Sequence, residues 1–376
     1  MKMTSYNLNY LNKKNKRLYE KELSIDLYST KELKVDIFKS ALIVPCSHDG
    51  KREGVFDLNH NYIARTNLHE VLGNKPSYPK NIVPHINKDA IYIGDLYSCF
   101  GHSLTDNLKK LWFLKTKKGK ALLNQGAEIV YVTFNGEKLG SHVFRIFELA
   151  GFDLHCAKEI TEPLTFDSVY VPEDSIFIEE ERRYYTNEFK KVVESIIQKA
   201  HLRVSVPYFS KIYLSRTLLN DGEDFGELKI EKAFINKGYK VLHPEKYSVE
   251  EQVCYLNQSS EVVSTLGSIS HLSLFCPPNS KVIILLKNDY LNTYQTVIDA
   301  IAGNSVIYIN SHHTFKQSRF WDGPFYLFIT KQLSLFLGIK ILNFRFFDKE
   351  WYRYLYKFLQ QKKIFIKRQI MLLIKK

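Results

Sequence analysis

The stretch "EVVSTLGSISHLSLFCPPNSKVIILL", residues 261–286, decides the fold class of this chain. Its pattern predicts an apolar strand, a small polar turn, a short apolar helix and a second apolar strand. In open α/β sheets, the turn between a strand and the next helix favours anions, because unpaired N–H groups point outward there. The turn is therefore a candidate phosphate site, although an ordinary tight connection is the plain alternative. The candidate residues are Gly267, Ser268, Ser270 and His271.

The same alternation extends over residues 210–310. Strands predicted at "KIYLS", "YKVLHP" and "SVIYIN" alternate with helices such as "GELKIEKAFINKG". This pattern is typical of a parallel sheet with helices on both faces. The first half is looser, with strands predicted at "ALIVPC", "AIYIG" and "EIVYVTF". The sequence predicts an α/β protein with an N-terminal domain over 1–190, a C-terminal domain over 191–324 and a helical tail over 325–376.

The net charge of +13 is concentrated in the tail. Residues 325–376 contain twelve Lys or Arg and two acidic residues, whereas the rest of the chain is nearly balanced. Aromatic and aliphatic residues alternate with these charges at helical spacing, as in helices that lie on anionic membranes. Packing of the apolar face on the protein itself is equally compatible with the pattern. Nucleic acid is a weaker candidate partner, because the body of the chain has no basic excess to continue a backbone track.

The cysteine pattern and the absence of export signals predict a cytoplasmic protein. Five cysteines lie far apart without a C-x-x-C pair, and we expect buried, reduced thiols. The N-terminus lacks the apolar segment of a signal peptide, and no run of about 18 apolar residues occurs. Motifs of P-loop, dinucleotide-binding, zinc-protease and α/β-hydrolase proteins are also absent. The acidic cluster Asp221, Glu223 and Asp224 suggests helix capping more than a metal site.

Two further constellations carry candidate chemistry. His102 and Asp106 are four residues apart, so they share one face of a predicted helix and could form a general base. A helix cap with a surface charge is the alternative. Ser215 and Arg216 follow a predicted strand, where the planar donor fork of arginine suits a diphosphate, although a solvated arginine fits equally well. The "SVEEQ" segment predicts a capping box, and its Glu250 is a further candidate for the cleft.

These segments, taken together, resemble glycosyltransferase family 61, which is found in capsule, lipopolysaccharide and eukaryotic glycan synthesis. The similarity runs through "KIYLSRTLLNDGEDFGE", the "SVEEQ" helix and the glycine turn before "SLFCPP". Upstream, "FGHSLTDNLKKLWFL" resembles the family's Phe-His-x-x-x-Glu/Asp helix, and "FDSVYVPEDS" resembles its Asp-x-x-x-Val-Pro step. "ALIVPCSHDGKREGVFDLNHNYI" is similar to its N-terminal strands, so the resemblance spans about residues 40–290.

The resemblance implies a GT-B-like fold of two facing Rossmann-like domains and a metal-independent, inverting transfer from a nucleotide sugar. The resemblance implies a UDP- or CMP-linked sugar as the donor substrate and no cofactor. Arg216 and the Gly267 turn would hold the diphosphate, while His102 and Asp106 would face the acceptor, with Asp106 the expected base and His102 its rival. The family's turn begins with His and has a second Gly, where this chain has Leu266 and Ile269. A Trp usually follows the upstream His, and here it is Ser103.

These expectations describe a glycosyltransferase, peripheral on the inner face of the cell membrane, that extends a capsule or lipopolysaccharide glycan. Its expected partners are a nucleotide sugar, a glycan or lipid-linked glycan acceptor and an anionic membrane surface through residues 325–376, without nucleic acid. Part of the tail is expected to cross back to the first domain. Two other classes stay open. One is a non-catalytic nucleotide- or glycan-binding scaffold of polysaccharide assembly, and the other is a basic nucleic-acid-binding module.

Overall fold

The computed structural model divides the chain into two compact units. It describes residues 4–46, 53–66, 77–179, 182–219, 224–313, 315, 323–340 and 348–374. The terminal unit consists of Met1–Ile25 and Ser205–Lys376, and the central unit of Asp26–Val204. Both units are mixed α/β structures, which confirms the predicted fold class. Asp221 and Glu223 of the acidic cluster lie outside the described residues.

The chain begins in the terminal unit with strand β1 (Ser5–Asn7) and helix α1 (Lys13–Glu22). The Asn12 side chain caps α1 by accepting a hydrogen bond from the Asn15 N–H. Because the first four N–H groups of a helix have no partner within it, this cap defines where α1 begins.

The central unit follows. Its strands are β2 Val35–Val44, β3 Gly54–Phe56, β4 Tyr62–Ile63, β5 His85–Leu96, β6 Glu128–Thr133, β7 Lys158–Glu159, β8 Leu164–Pro172, β9 Ile176–Ile178 and β10 Arg183–Tyr185. Its helices are α2 Phe100–Ser103, α3 Lys117–Asn124, α4 Ser141–Ala150 and α5 Asn187–Arg203. Seven strands form one sheet in the order β4-β3-β2-β8-β5-β6-β7.

This central sheet is mixed, with a parallel half of the kind expected for a Rossmann-like domain and antiparallel strands added beside it. Strands β8, β5, β6 and β7 are parallel to one another, whereas β2 runs antiparallel to both β8 and β3. β3 and β4 are also antiparallel, because the five residues 57–61 that join them are too few for a parallel crossover. The parallel half has its strand order reversed between β8 and β5, and ligands tend to bind at such a switch point.

The chain then returns to the terminal unit. Its remaining strands are β11 Lys211–Leu214, β12 Asp224–Phe225, β13 Lys240–Leu242, β14 Glu261–Thr265, β15 Lys281–Leu286, β16 Ser305–Asn310 and β17 Phe325–Tyr326. The helices are α6 Glu227–Ile235, α7 Val249–Asn257, α8 Thr293–Ala302, α9 Lys331–Leu337 and α10 Lys349–Ile374. The predicted capping box is present at α7, where Ser248 and Glu251 each bond the other's backbone N–H.

The main sheet of the terminal unit is parallel throughout, as predicted. Its order is β1-β16-β15-β14-β11-β13, so the chain reverses its direction of assembly between β11 and β14. This is the switch point of a doubly wound fold, where the carboxyl ends of neighbouring strands open a crevice. The helix predicted after β14 is instead a 3-10 helix at Ser270–Phe275, because Pro277 and Pro278 follow too closely for a longer helix.

The predicted domain boundaries need three corrections. The N-terminal segment belongs to the terminal unit, because β1 pairs with β16 and the Tyr19 ring lies 4.6 Å from that of Tyr308. The boundary near 190 moves to Val204, because α5 is one continuous helix whose Arg203 bonds Glu148 of α4 at 2.6 Å. The third correction concerns residues 325–376, which the sequence predicted to be a tail separate from the C-terminal domain.

The residues from Phe325 onward are part of the terminal unit. Leu333 and Leu337 of α9 lie in the same buried cluster as Tyr213 and Val263 of the main sheet. Trp351 and Tyr354 of α10 pack against β12 and β17. The start of the segment predicted as a tail is therefore core, because its apolar residues at spacing four form a buried helix face.

All five cysteines are reduced thiols, as expected. Cys254 and Cys276 are buried, but Cys99 and Cys156 are exposed, so the expectation of burial holds for only part of the set. Among the described helices, none combines the length and apolar composition needed to cross a membrane.

Candidate active site

The switch point of the terminal unit gathers two cations around one carboxylate. Arg216, directly beyond β11, donates from Nε to Asp224 Oδ2 over 2.8 Å. Lys287, directly beyond β15, donates from Nζ to Asp224 Oδ1 over 3.1 Å. Burial opposes the charge of Asp224, but Lys287 and Arg216 outweigh it and lower the pKa of this carboxyl. The carboxylate thus holds both cationic side chains in place.

The glycine turn beyond β14 lies beside these cations. Gly267 has φ 143°, a conformation that L side chains rarely adopt, and a Cβ there would lie 3.7 Å from Lys287 Nζ. Gly267 and Ser268 are partly exposed. The structure therefore brings together the Arg216 and Gly267 predicted from the sequence, and it adds Lys287 between them.

Four other predicted donor-site residues are buried. Ser270 Oγ accepts from the Gly267 N–H at 3.2 Å and lies 2.5 Å from Gln295 Oε1, so it fixes the turn from inside. Ser215 Oγ donates to Glu231 Oε2 over 2.5 Å. His271 is 6% exposed and Glu250 is 1% exposed. Because they are buried, these four residues are suited to hold the partly exposed Arg216, Gly267 and Ser268 in position.

Glu227 and Lys287 are site residues that the sequence reasoning missed. Glu227 Oε1 accepts from the Tyr213 hydroxyl at 3.0 Å and from the Arg216 N–H at 3.3 Å. Burial and the neighbouring charge of Asp224 raise the pKa of Glu227 to about 7. Lys287 could have been found by the rule that found Arg216, since it directly follows the predicted strand "KVIILL". Glu227 gave no such signal.

The second constellation lies in the central unit, beyond the carboxyl end of β5. His102 Nδ1 lies 2.6 Å from Asp106 Oδ2, so the pair predicted from the spacing of four is in contact. The sequence predicted one continuous helix here, but the helix is interrupted: α2 ends at Ser103 and a 3-10 turn begins at Asp106. Thr105 lies at the break with φ −128° and ψ −80°.

Local polar contacts explain why the helix breaks there and the pair still meets. The Asn107 amide bonds both backbone groups of Tyr97 at 2.9 Å, which ties the 3-10 turn to the end of β5. Thr105 Oγ1 lies 3.1 Å from Asp106 Oδ2 and holds the carboxylate from the other side. The Tyr97 ring lies against the His102 ring, with their centroids 4.7 Å apart.

The two partners of this pair differ in exposure. The His102 side chain is 29% exposed, whereas that of Asp106 is 6% exposed. Burial alone would lower the pKa of His102, but the hydrogen bond and charge of Asp106 raise it above its usual value. Burial opposes the charge of Asp106, which His102 and Lys109 stabilise, so the pKa of Asp106 is lowered. The pair can therefore take a proton on the imidazole while the carboxylate stays ionised.

A buried charge cluster supports this pair. Lys109 Nζ lies 3.3 Å from Asp174 Oδ2, just beyond the end of β8. Burial opposes the charge of Lys109, but Asp174, Asp95 and Asp106 together raise its pKa. The Ser175 N–H donates to the Lys109 carbonyl at 2.9 Å, which joins the two strand ends at the switch point. Among the described residues, no group of three or more His, Cys, Asp or Glu is arranged to hold a metal ion.

A comparison with protein families matches residues 100–283, which run from α2 into β15 and include the His102–Asp106 pair, Arg216 and Gly267 but not Lys287. The matching model is that of a glycosyltransferase family, so the chain is a glycosyltransferase. The family is described as Glycosyltransferase 61, and residues 100–283 are the part of the chain that matches it. The resemblance seen in the sequence is thereby confirmed over residues 100–283.

Solved structures give only low similarity. The heptosyltransferase WaaC of E. coli with ADP is 11% identical over 58% of this chain and 93% of its own, with a TM-score of 0.29. The dodecameric iron-containing heptosyltransferase TibC in complex with ADP-D-beta-D-heptose is 11% identical over 80% of this chain and 89% of its own, with a TM-score of 0.28. A comparison with curated proteins finds no significant match.

Proposed function

We propose that this glycosyltransferase moves a sugar from a nucleotide-sugar donor to a growing surface glycan, with inversion and without a metal ion. The observation that carries the proposal is the group formed by Arg216, Lys287 and the Gly267 turn at the switch point of a doubly wound sheet. A crevice of this kind, with a cationic fork and a close backbone approach, suits a diphosphate.

The two cations also account for the proposed independence from metal. When the glycosidic bond to the donor breaks, negative charge develops on the leaving nucleoside diphosphate. Arg216 and Lys287 would stabilise that charge, and because Asp224 already holds them, little reorganisation would be needed.

His102 is the general base favoured by the exposure of the pair, with Asp106 as the positioning residue. Asp106 was the residue expected from the resemblance, but it is nearly inaccessible, and its lowered pKa makes it a weak base. His102 is the more exposed partner and its pKa is raised. With Nδ1 bonded to Asp106, the proton of an acceptor hydroxyl would move to Nε2. A single base serves an inverting displacement, because the hydroxyl attacks the sugar directly.

The acceptor is proposed to be a capsule or lipopolysaccharide glycan at the inner face of the cell membrane. Helix α10 supports this location because its first turns are docked through Trp351 and Tyr354 while another face is exposed. The exposed face has apolar residues among Lys and Arg, as in interfacial helices. The exposed apolar residues are Tyr352, Tyr356, Leu359 and Ile364.

A thermal-shift screen against UDP-, GDP-, CMP- and TDP-linked sugars tests the donor site. A ligand that binds only the folded state raises the melting temperature, by the equivalent of about 2.7 kcal/mol at 100 times its Kd. We expect one nucleotide class to stabilise the protein. Arg216→Ala and Lys287→Ala should each weaken its binding tenfold or more, since a charged hydrogen bond contributes about 1.5–3 kcal/mol.

Arg17→Ala is the matched control, because Arg17 is an exposed arginine of α1 in the same unit. It should leave the shift unchanged. If no nucleotide sugar shifts the protein, the proposal is wrong. Binding without any loss of sugar from the donor, in the presence of a glycan acceptor, would support the scaffold alternative instead.

A further inference from the structure

A small cavity of the central unit has a cationic lining. Its volume is about 80 Å³, which corresponds to roughly two to three water molecules. Such a space admits a carboxylate or phosphate group. Four cationic side chains face two carboxylates in its wall: Lys31, Arg65, Lys110 and Arg182 against Glu173 and Asp174.

Both carboxylates already have cationic partners. Glu173 Oε2 lies 3.6 Å from Lys31 Nζ. Asp174 is shared between Lys110, which lines the cavity, and Lys109, which does not. The wall therefore has four cations against two carboxylates, and Asp36, which lies outside it, pairs with Arg65.

Arg65 has unused hydrogen-bonding capacity at the cavity. Its Nη2 bonds Asp36 and lies 3.3 Å from the Val171 carbonyl oxygen. Its Nη1 is buried and has no hydrogen-bond partner among the described residues. A buried guanidinium nitrogen without an acceptor is unfavourable, and an anion in the cavity would supply one.

The charge environment of Lys110 is consistent with a bound anion. Its side chain is 1% exposed, and its Nζ donates to the Pro172 carbonyl oxygen over 3.0 Å. Burial lowers the pKa of Lys110, and the positive charges of Lys109 and Arg65 lower it further, although Asp174 opposes this. A negative group beside Lys110 would offset that repulsion.

Two aromatic rings hold the fourth cation over the cavity. Phe177 and Tyr184 are stacked with centroids 5.8 Å apart and an interplanar angle of 11°. The Arg182 guanidinium lies 5.2 Å from the centroid of Phe177 and 5.3 Å from that of Tyr184. Cation–π contacts of this kind restrict the guanidinium to one region while its N–H groups can still donate.

The cavity adjoins the His102–Asp106 pair through a single carboxylate. Asp174 binds Lys110 on the cavity side and Lys109 on the other. Lys109 in turn interacts with Asp106 and follows it by three residues in the chain. One chain of buried charges therefore joins the wall of the cavity to the His102–Asp106 pair.

We propose that the cavity binds the anionic group of an acidic acceptor, either the carboxylate of a uronic acid or a sugar phosphate. Lys110 and Arg65 would contact the anion from within, and Arg182 would cover it. This inference rests on the proposed function, because it assigns the acceptor side of the same reaction. The acceptor class is then an anionic saccharide.

Thermal-shift titration of the full chain tests the proposal, with glucuronate, glucose 1-phosphate, inorganic phosphate and neutral glucose as probes. The titrations use Arg216→Ala protein as well as wild type, so that binding of the sugar phosphate at the donor site is recognised. We expect saturable stabilisation by glucuronate or glucose 1-phosphate, retained in Arg216→Ala. Which of the two binds more tightly identifies the anionic group. Glucose should give no shift at the same concentration.

Arg182→Gln should weaken binding of the anionic saccharide at least tenfold, and Arg65→Gln should do the same. Arg145→Gln is the matched control, because it also removes one positive charge from the central unit. Arg145 lies on α4, outside the cavity. It should change the affinity less than twofold. Arg182 is exposed, so its variant is expected to fold normally even if Arg65→Gln does not.

Three results would overturn the proposal. These are equal shifts by glucose and glucuronate, equal weakening by Arg182→Gln and Arg145→Gln, and binding of inorganic phosphate without either saccharide. A stabilising nucleotide sugar together with no shift by any anionic saccharide would reject this inference and leave the proposed function intact. The opposite pattern would reject the proposed function and keep an anion site.

Discussion

At the scale of single residues, the contact between His102 and Asp106 determines how the pH dependence should behave. The imidazole must be unprotonated to accept a proton, and Asp106 raises its pKa above the usual value. Activity should therefore fall as the pH drops through this raised pKa and level off above it. The Asp106 carboxylate stays ionised while His102 titrates, because its own pKa is lowered.

The first prediction is that Asp106→Asn moves the acid limb of the pH profile of kcat/KM to lower pH and lowers its plateau. Without the carboxylate, burial dominates and the pKa of His102 falls. His102→Gln should lower the plateau by about 10²–10⁴-fold. The measurement is the rate of sugar transfer between about pH 5 and pH 9. Complete loss of activity in Asp106→Asn at every pH, with full activity in His102→Gln, would make Asp106 the base.

The second prediction concerns the strained backbone of the glycine turn. Gly267→Ala should lower the free energy of unfolding by about 1–3 kcal/mol, because φ 143° disfavours any Cβ. It should also abolish stabilisation by the nucleotide sugar, since the backbone beside Lys287 must shift. Gly238→Ala, at φ 81° with nothing within 4 Å of the added Cβ, is the matched control in the same unit. Both should destabilise, and loss of ligand binding in both would argue against a donor site at the turn.

At the scale of elements, helix α10 combines docking with an exposed amphipathic face. Trp351 and Tyr354 are buried with Phe225 and Tyr326 of the β12–β17 pair. β12 also includes Asp224, which holds Arg216 and Lys287. The start of α10 therefore supports the strand that carries Asp224 in the proposed donor site, whereas the residues beyond 358 contain six Lys or Arg and no acidic residue.

The third prediction is that deletion of residues 359–376 releases the protein from anionic vesicles while donor binding is kept. Vesicle flotation with phosphatidylserine-containing and pure phosphatidylcholine membranes measures the first effect, and the nucleotide-sugar thermal shift measures the second. Attraction to anionic lipid contributes about 1 kcal/mol per basic residue near the surface, so salt should also release the intact chain.

Deletion of residues 345–376 is the informative comparison for that experiment. It removes Trp351 and Tyr354 as well, and loss of buried aromatic side chains costs about 3–5 kcal/mol each. We expect a lower melting temperature and weaker donor binding for this longer deletion only. If the 359–376 deletion still floats with anionic vesicles, the membrane contact lies elsewhere.

At the scale of the whole molecule, the first strand of the chain adds an edge to a sheet whose other strands come from the C-terminal half. Ser5 of β1 pairs with Ser305 of β16, and the Tyr19 ring of α1 packs against that of Tyr308 at an interplanar angle of 55°. An edge strand that is paired shields the backbone groups of its neighbour from solvent. The terminal unit is therefore a single cooperative structure made of two distant parts of the chain.

The fourth prediction is that deletion of residues 1–25 accelerates hydrogen exchange in β16 and α8 but not in β2 or β8 of the central unit. The deletion exposes the edge of β16 and the Tyr308 ring, so local opening there costs less. Exchange measured by mass spectrometry on the full chain and the deletion variant gives the comparison. Faster exchange in the central sheet instead would support assigning residues 1–25 to the N-terminal domain, as the sequence predicted.

The sequence by itself determined what depends on neighbours along the chain. The strands and helices of residues 210–310, the capping box at Ser248 and the contact of His102 with Asp106 all follow from spacings of two to four residues. Such patterns are decided by local periodicity and by side chains within one turn of helix. The carboxyl-end rule also found Arg216 and the Gly267 turn, because it needs only the end of each strand.

Only the tertiary structure decided which distant residues meet. Lys287 reaches Asp224 across 63 positions, and Ser5 lies beside Ser305 across 300. Strand order brings these residues together, and local propensity does not encode strand order. Packing likewise left His102 more exposed than Asp106 and assembled the cationic cavity around Asp174 from four separate segments. Exposure and convergence are properties of the packed chain, so no stretch of the sequence could supply them alone.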